Sequence, residues 1–104
     1  MSDRKTNMTG ILDALGREEL LVQLAEECSE LAKAALKLRR VLDGRNPTPV
    51  TRNAAEANLQ EEMADVIGCM SLVGPPDQKA LTESVDYKMG RWADRIRQRT
   101  TTEE

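Results

Sequence analysis

The sequence contains no histidine and no phenylalanine, and it has one Trp and one Tyr among its 104 residues. The absence of histidine excludes most zinc sites, histidine-based catalytic triads and di-iron centres built on a Glu-x-x-His motif. With so few aromatic residues, the core must consist of Leu, Ala, Val and Met, which suits packed helices better than sheets. We therefore expect an all-α protein whose chemistry depends on other side chains.

Long apolar runs and an N-terminal signal peptide are also missing. We therefore expect a cytoplasmic protein that is neither secreted nor membrane-spanning. The net charge of −3 is too small to indicate a nucleic acid or a membrane as a partner. Cys28 and Cys69 occupy apolar helical positions. We interpret them as buried free thiols rather than as a disulfide or a metal-binding pair.

Helical periodicity predicts three long helices and a short N-terminal helix within a single domain, 1–104. The short helix is expected to end at Gly16, and Thr51 and Asp77 are candidate N-caps of the second and third long helices. The expected helices are 9–15, 17–42, 51–73 and 77–99, with breaks at Asp43-Gly44, Pro47/Pro49 and Gly74-Pro75-Pro76. Residues 1–8 and 100–104 are expected to be mobile.

Two segments of the chain resemble each other, Leu-Ala-Glu-Glu-Cys-Ser-Glu-Leu at 24–31 and Leu-Gln-Glu-Glu-Met-Ala-Asp-Val at 59–66. On a helix each segment belongs to an apolar stripe, with acidic residues along one edge. The stripes are Leu24, Cys28, Leu31, Ala35 and Leu38 on the first helix and Leu59, Met63, Val66, Met70 and Val73 on the second.

The acidic residues at the matching edges are Glu27 and Glu30 on the first helix and Glu62 and Asp65 on the second. A carboxylate beside a core is costly to desolvate unless it is paired. Neither segment contains a cationic residue, so the pattern predicts a cation from solution as the partner. We expect these four carboxylates to converge where the two helices pack.

The third helix carries a basic edge beside its apolar stripe. Lys88, Arg91 and Arg95 follow an i, i+3, i+7 spacing. The simpler interpretation is a solvated face, in which long basic side chains extend to water. The alternative is anion binding, because carboxylates that hold Mg²⁺ together with nearby cations suit a magnesium–polyphosphate ligand. Asn58 is a further candidate for substrate binding.

From about residue 15 to 95 the chain resembles the all-α nucleoside triphosphate pyrophosphohydrolases, the MazG-like superfamily. The mark of that superfamily is Glu-Glu-x-x-Glu followed by Glu-x-x-Asp on the next helix, matched here by Glu26 to Glu30 and by Glu62 to Asp65. The resemblance implies Mg²⁺ ligands at Glu27, Glu30, Glu62 and Asp65, with Mn²⁺ as a substitute. Members often carry Lys, Asn and Arg on the last helix, and Trp92 replaces that Asn here.

The resemblance implies hydrolysis of a nucleoside triphosphate between its α- and β-phosphates, with release of a monophosphate and pyrophosphate. Glu26 or Glu27 is then the candidate catalytic base. A MazG-like bundle completed as a homodimer or homotetramer is also implied, and the short chain with few aromatic residues independently favours oligomerisation. The alternatives are a phosphoribosyl-ATP pyrophosphatase and a non-catalytic helical interaction module with a structural divalent ion.

Overall fold

The computed structural model describes the backbone of residues 3–74 and 77–103 and the side chains of 3–74 and 77–99. These residues form three α-helices and no strand, which confirms the all-α prediction. The helices are α1 (Arg4–Asp43), α2 (Arg52–Val73) and α3 (Gln78–Glu103). Among the described residues, no helix is both long enough and apolar enough to cross a lipid bilayer.

The chain forms two compact units, Met1–Val73 and Gly74–Glu104. In the first unit α1 packs along α2, and a short loop joins the two helices. The side chain of Arg17, in the first half of α1, donates a hydrogen bond of 3.3 Å to the backbone carbonyl of Val73 at the end of α2. The two helices are therefore antiparallel. The second unit contains α3, and the assignment of the whole chain to one domain stays a prediction.

The helix ends follow local sequence signals. The hydroxyl of Thr51 accepts a hydrogen bond from the Ala54 amide at 3.1 Å, and the carboxylate of Asp77 accepts one from the Ala80 amide at 3.0 Å. Both residues therefore cap helices as expected, because each satisfies an amide of the first turn that has no partner within the helix. Gly44, with φ 75°, ends α1 in the left-handed conformation that favours glycine.

The N-terminal helix differs from the prediction of a separate segment at 9–15. Asp3 caps a helix that begins at Arg4, and its carboxylate accepts a 2.7 Å hydrogen bond from the Thr6 amide. The 40-residue α1 continues past Gly16, where a non-helical φ of 76° and ψ of 168° mark a kink. The carboxylate of Asp3 accounts for the early start, so residues 4–8 are helical. Met1 and Ser2 lie outside the described residues.

The core lies to one side of both predicted stripes. The buried side chains of α1 are Leu20, Ala34 and Leu38, and those of α2 are Ala55, Val66 and Cys69. On both helices the contact face is rotated by about 50°, half the angular step of one residue, toward the acidic edge. Small side chains such as Ala34 and Ala55 form the contact and allow close approach of the backbones. The opposite edges of the stripes, including Cys28 and Met63, remain exposed.

The second unit has a continuous apolar stripe that is exposed. Its members, which follow helical spacing along α3, are Leu81, Val85, Met89, Trp92 and Ile96. The helix extends to Glu103, beyond the expected end at residue 99. Glu104 lies outside the described residues.

Substitution of Gly16 by Ala tests the kink. The φ/ψ pair of Gly16 is accessible essentially to glycine alone, so we expect Gly16→Ala to destabilise the protein by about 1–3 kcal/mol. Gly10→Ala is the matched control, because an added Cβ meets no neighbouring atom within 4 Å at either position. Gly10 is helical, so its replacement should stabilise by about 0.5–1 kcal/mol. Urea denaturation measures both changes, and a neutral Gly16→Ala would contradict the kinked geometry.

Candidate metal centre

Three carboxylates from the two packed helices come together. Glu27 of α1 and Glu62 and Asp65 of α2 each offer an oxygen, and these oxygens all lie within 4.8 Å of one another. Glu27 and Glu62 are half-buried, whereas Asp65 is exposed. The antiparallel packing and the rotation toward the acidic edges place both edges on the same side of the hairpin. We call Glu27, Glu62 and Asp65 the acidic trio.

Glu62 is the member of the acidic trio whose pKa is raised. Its Oε2 atom is enclosed and has no hydrogen-bond partner among the described residues. Burial raises the pKa of Glu62 above its ordinary value of 4.5, because the charged form loses solvation. Neighbouring negative charges raise the pKa further, in the order Asp65, Glu27, Glu30 and Glu61. The environment of Glu62 therefore disfavours the charged form of its carboxylate.

Two of the predicted ligands have partners on α1. The side-chain amide of Gln23 donates a 2.8 Å hydrogen bond to Oε1 of Glu27, which orients that carboxylate. Oε1 of Glu30 lies 3.3 Å from the ammonium of Lys33. Glu30 is close enough to influence Glu62 but is not a member of the acidic trio. Lys33 lies two positions beyond the first acidic segment, so a cation of the chain itself pairs with Glu30.

The two cysteines flank the acidic trio in different environments. Both thiols are free, but Cys28 is exposed and only Cys69 is buried, so the prediction of two buried thiols is wrong for Cys28. The 50° rotation explains this, because it turns Cys28 out of the contact between the helices. Burial raises the pKa of the Cys69 thiol, and the negative charges of Glu27 and Asp65 raise it further.

The remaining site candidates lie on helix surfaces. Glu26 is exposed on α1 beside Glu27, and Asn58 is half-buried on α2, one turn before Glu62. On α3, Lys88, Arg91 and Arg95 are exposed. The guanidinium of Arg91 lies 5.7 Å from the centre of the Tyr87 ring, within the range of a cation–π contact. The approach of these three basic residues to the acidic trio stays a prediction.

Comparison of the chain with protein-family models, with curated proteins and with solved structures found no match. The MazG-like resemblance therefore depends on the two acidic motifs, and membership of that superfamily stays a prediction.

The chemistry of the acidic trio fits a hard divalent cation. All three members offer carboxylate oxygens, which are the ligands that Mg²⁺ prefers, and Mg²⁺ is commonly held by a few carboxylates together with water and phosphate. The enclosed Oε2 of Glu62 is an acceptor with no hydrogen-bond partner among the described residues, and a cation would satisfy it. Glu27, Glu62 and Asp65 are therefore the residues that could hold such an ion.

The raised pKa of Glu62 predicts that the free energy of unfolding of the metal-free protein depends on pH. Because the folded chain binds this proton more tightly than the unfolded chain, Glu62 favours folding below pH 4.5 and loses that contribution as the pH rises through its raised pKa. In the presence of a chelator, Glu62→Gln should therefore raise the urea midpoint at neutral pH. The gain should disappear at acidic pH, where Glu62 of the wild type is protonated.

The control for this experiment is Glu26→Gln, which neutralises an exposed carboxylate on α1 outside the acidic trio. It should leave the urea midpoint nearly unchanged at both pH values, because an exposed carboxylate is well solvated. A urea midpoint of Glu62→Gln at or below that of the wild type at neutral pH would contradict the claim that the charged form of Glu62 destabilises the folded protein.

Proposed function

We propose that the chain is a Mg²⁺-dependent nucleoside triphosphate pyrophosphohydrolase. The reaction adds water across the anhydride bond between the α- and β-phosphates and yields a nucleoside monophosphate and pyrophosphate. The observation that carries the proposal is the acidic trio, which offers three carboxylate oxygens within 4.8 Å of one another and whose Glu62 has an enclosed Oε2 with no hydrogen-bond partner among the described residues. The acidic motifs that the chain shares with the MazG-like superfamily supply the reaction class.

The three carboxylates of the acidic trio share one role in this proposal, which is to hold the cation. Glu62 and Asp65 are on one helix and Glu27 is on the other, so together they would hold the cation from two sides. A bound Mg²⁺ would lower the pKa of a coordinated water and neutralise phosphate charge. Gln23 fixes the orientation of Glu27 through its 2.8 Å hydrogen bond. Glu26 is exposed beside the trio and is available to accept the proton of the attacking water.

The polyphosphate of the substrate carries more negative charge than one divalent cation neutralises. Lys88, Arg91 and Arg95 are the proposed cationic contacts, since their heads are exposed on α3. Arginine suits phosphate because its planar guanidinium donates two parallel hydrogen bonds. Asn58, one turn before Glu62 on α2, is the proposed polar contact from the hairpin.

Glu62→Gln should reduce pyrophosphate release by more than about a hundredfold, because loss of even an outer-shell partner of a metal ligand costs 10–100-fold. Gln is a good helix former, so the helical circular dichroism should be unchanged. The assay follows pyrophosphate release from a panel of ribo- and deoxyribonucleoside triphosphates with Mg²⁺. The matched control is Glu56→Gln on the same helix, whose carboxylate pairs with Arg52 at 3.8 Å and which should retain full activity.

Full activity of Glu62→Gln would show that the acidic trio is not the catalytic metal site. Cleavage of phosphoribosyl-ATP in place of the triphosphate panel would favour the phosphoribosyl-ATP pyrophosphatase. Tight Mg²⁺ binding without hydrolysis of any nucleotide would favour the non-catalytic module with a structural ion.

Mg²⁺ should stabilise the folded protein, because it binds the converged carboxylates and not the unfolded chain. At a free concentration a hundred times its dissociation constant, the gain in unfolding free energy is about 2.7 kcal/mol. Denaturation in Mg²⁺ and in chelator measures this difference, which Glu62→Gln should diminish and Glu56→Gln should preserve. Identical denaturation curves of the wild type in Mg²⁺ and in chelator would contradict the proposal that the acidic trio binds Mg²⁺.

A further inference from the structure

The acidic edge of α1 continues into basic residues. Glu30 and Lys37 are seven residues apart, so two turns of helix bring them to nearly the same side of α1. Lys33 lies between them, and its ammonium is 3.3 Å from Oε1 of Glu30. Besides burial, the charge of Glu30 contributes to the raised pKa of Glu62, so Glu30 and its lysine lie beside the acidic trio. We call Lys33 and Lys37 the lysine pair.

The end of the helix does not explain the lysine pair. The helix dipole stabilises cations within the last turn, and in α1 that turn contains Arg40. The lysine pair lies further back, since Lys37 precedes the last residue of α1, Asp43, by six positions. Lys33 and Lys37 are four residues apart, a spacing at which like charges on a helix repel each other. Negative charge beside both lysines would offset this repulsion, and Glu30 supplies it to Lys33 alone.

Both ammonium groups of the lysine pair are available to an anion. Lys37 is half-buried, and it takes part in none of the ion pairs in the part of the chain that the structure describes. Lys33 has Glu30 as its partner, but the two side chains are mostly exposed, at 71% and 52%. Because an exposed ion pair contributes little to stability, Lys33 can exchange Glu30 for another anion at low cost.

The antiparallel packing brings a polar residue of α2 to the same end of the acidic trio. Oxygens of Glu27 and Glu62 lie within 4.8 Å of each other, so residues that follow Glu27 on α1 lie level with residues that precede Glu62 on α2. Asn58 is half-buried one turn before Glu62. It therefore lies at the end of the acidic trio from which the lysine pair continues. Lys33 and Lys37 are about 9 and 15 Å along α1 from Glu27, at 1.5 Å per residue.

We propose that Lys33 and Lys37 bind the pyrophosphate part of the substrate, beside the cation at the acidic trio. This placement rests on the proposed function, since the triphosphate of that reaction would extend along the hairpin from the cation toward the lysine pair. Ammonium groups offset phosphate charge that one divalent cation leaves, and they donate charge-assisted hydrogen bonds. The contacts come from the same compact unit as the acidic trio and add to those of the basic residues of α3.

The two lysines differ in their effect on the cation. Lys33 neutralises Glu30 beside the acidic trio, so its positive charge opposes a cation that binds without phosphate. Lys37 lies about 15 Å along the helix from Glu27, which is beyond the Debye length of about 8 Å at physiological ionic strength. Lys33→Gln should therefore tighten the binding of Mg²⁺ alone several-fold, whereas Lys37→Gln should leave it unchanged. Isothermal titration calorimetry with MgCl₂ measures both.

Binding of inorganic tripolyphosphate in the presence of Mg²⁺ tests the phosphate site without turnover of a nucleotide. Lys33→Gln and Lys37→Gln should each weaken this binding about tenfold or more, because each loses a hydrogen bond to a charged group. The matched control is Lys5→Gln, which replaces an exposed lysine at the start of α1 and should bind tripolyphosphate as the wild type does. Gln is a good helix former, so the helical circular dichroism should be unchanged in all three variants.

The outcomes separate the phosphate site from the proposed function. Unchanged tripolyphosphate binding in both variants of the lysine pair, or an equal loss in Lys5→Gln, would overturn the phosphate site. Tripolyphosphate binding that depends on the lysine pair, without hydrolysis of any nucleoside triphosphate, would support the site and refute the proposed function. Hydrolysis that depends on Glu62 but has the wild-type KM in both variants of the lysine pair would refute the phosphate site alone.

Discussion

The hairpin brings three carboxylates so close together that their mutual repulsion and the loss of solvation at Glu62 must be offset. Their oxygens lie within 4.8 Å of one another, and the enclosed Oε2 of Glu62 has no partner among the described residues. In a partly buried environment, like charges at such distances disfavour ionisation. A divalent cation bound there would offset both costs, since it would neutralise charge and provide a partner for the enclosed oxygen. The proposed chemistry depends on this electrostatic constraint.

The same packing that creates the constraint also decides which edge of each helix is exposed. Rotation of the contact face toward the acidic edges brings Glu27 and Glu62 to the boundary of the core and turns Cys28 and Met63 outward. Each helix therefore has acidic residues at one edge of its contact face and exposed apolar residues at the other. The repeated sequence pattern in α1 and α2 explains why both helices show the same division.

Local signals were sufficient to predict most helix ends and much of the site. Thr51, Asp77 and Gly44 act through their own conformational preferences, which do not depend on distant packing. The convergence of Glu27, Glu62 and Asp65 followed from two similar segments on neighbouring helices. The 50° rotation of the contact face could not be predicted, because each apolar stripe is wider than the surface that one neighbouring helix can cover. The ion pair of Glu30 with Lys33 is not part of the repeated acidic pattern, because Lys33 follows the first segment by two positions.

The central claim is that a divalent cation binds at the acidic trio, and Mn²⁺ can locate such an ion directly. Mn²⁺ is paramagnetic and broadens the amide resonances of nearby residues in a nitrogen–proton correlation spectrum. We expect substoichiometric Mn²⁺ to broaden the signals around Glu27, Glu62 and Asp65 first, and excess Mg²⁺ to reverse the effect. Broadening centred on exposed acidic residues elsewhere, such as Glu83 and Asp86 of α3, or no selective broadening at all, would contradict the account.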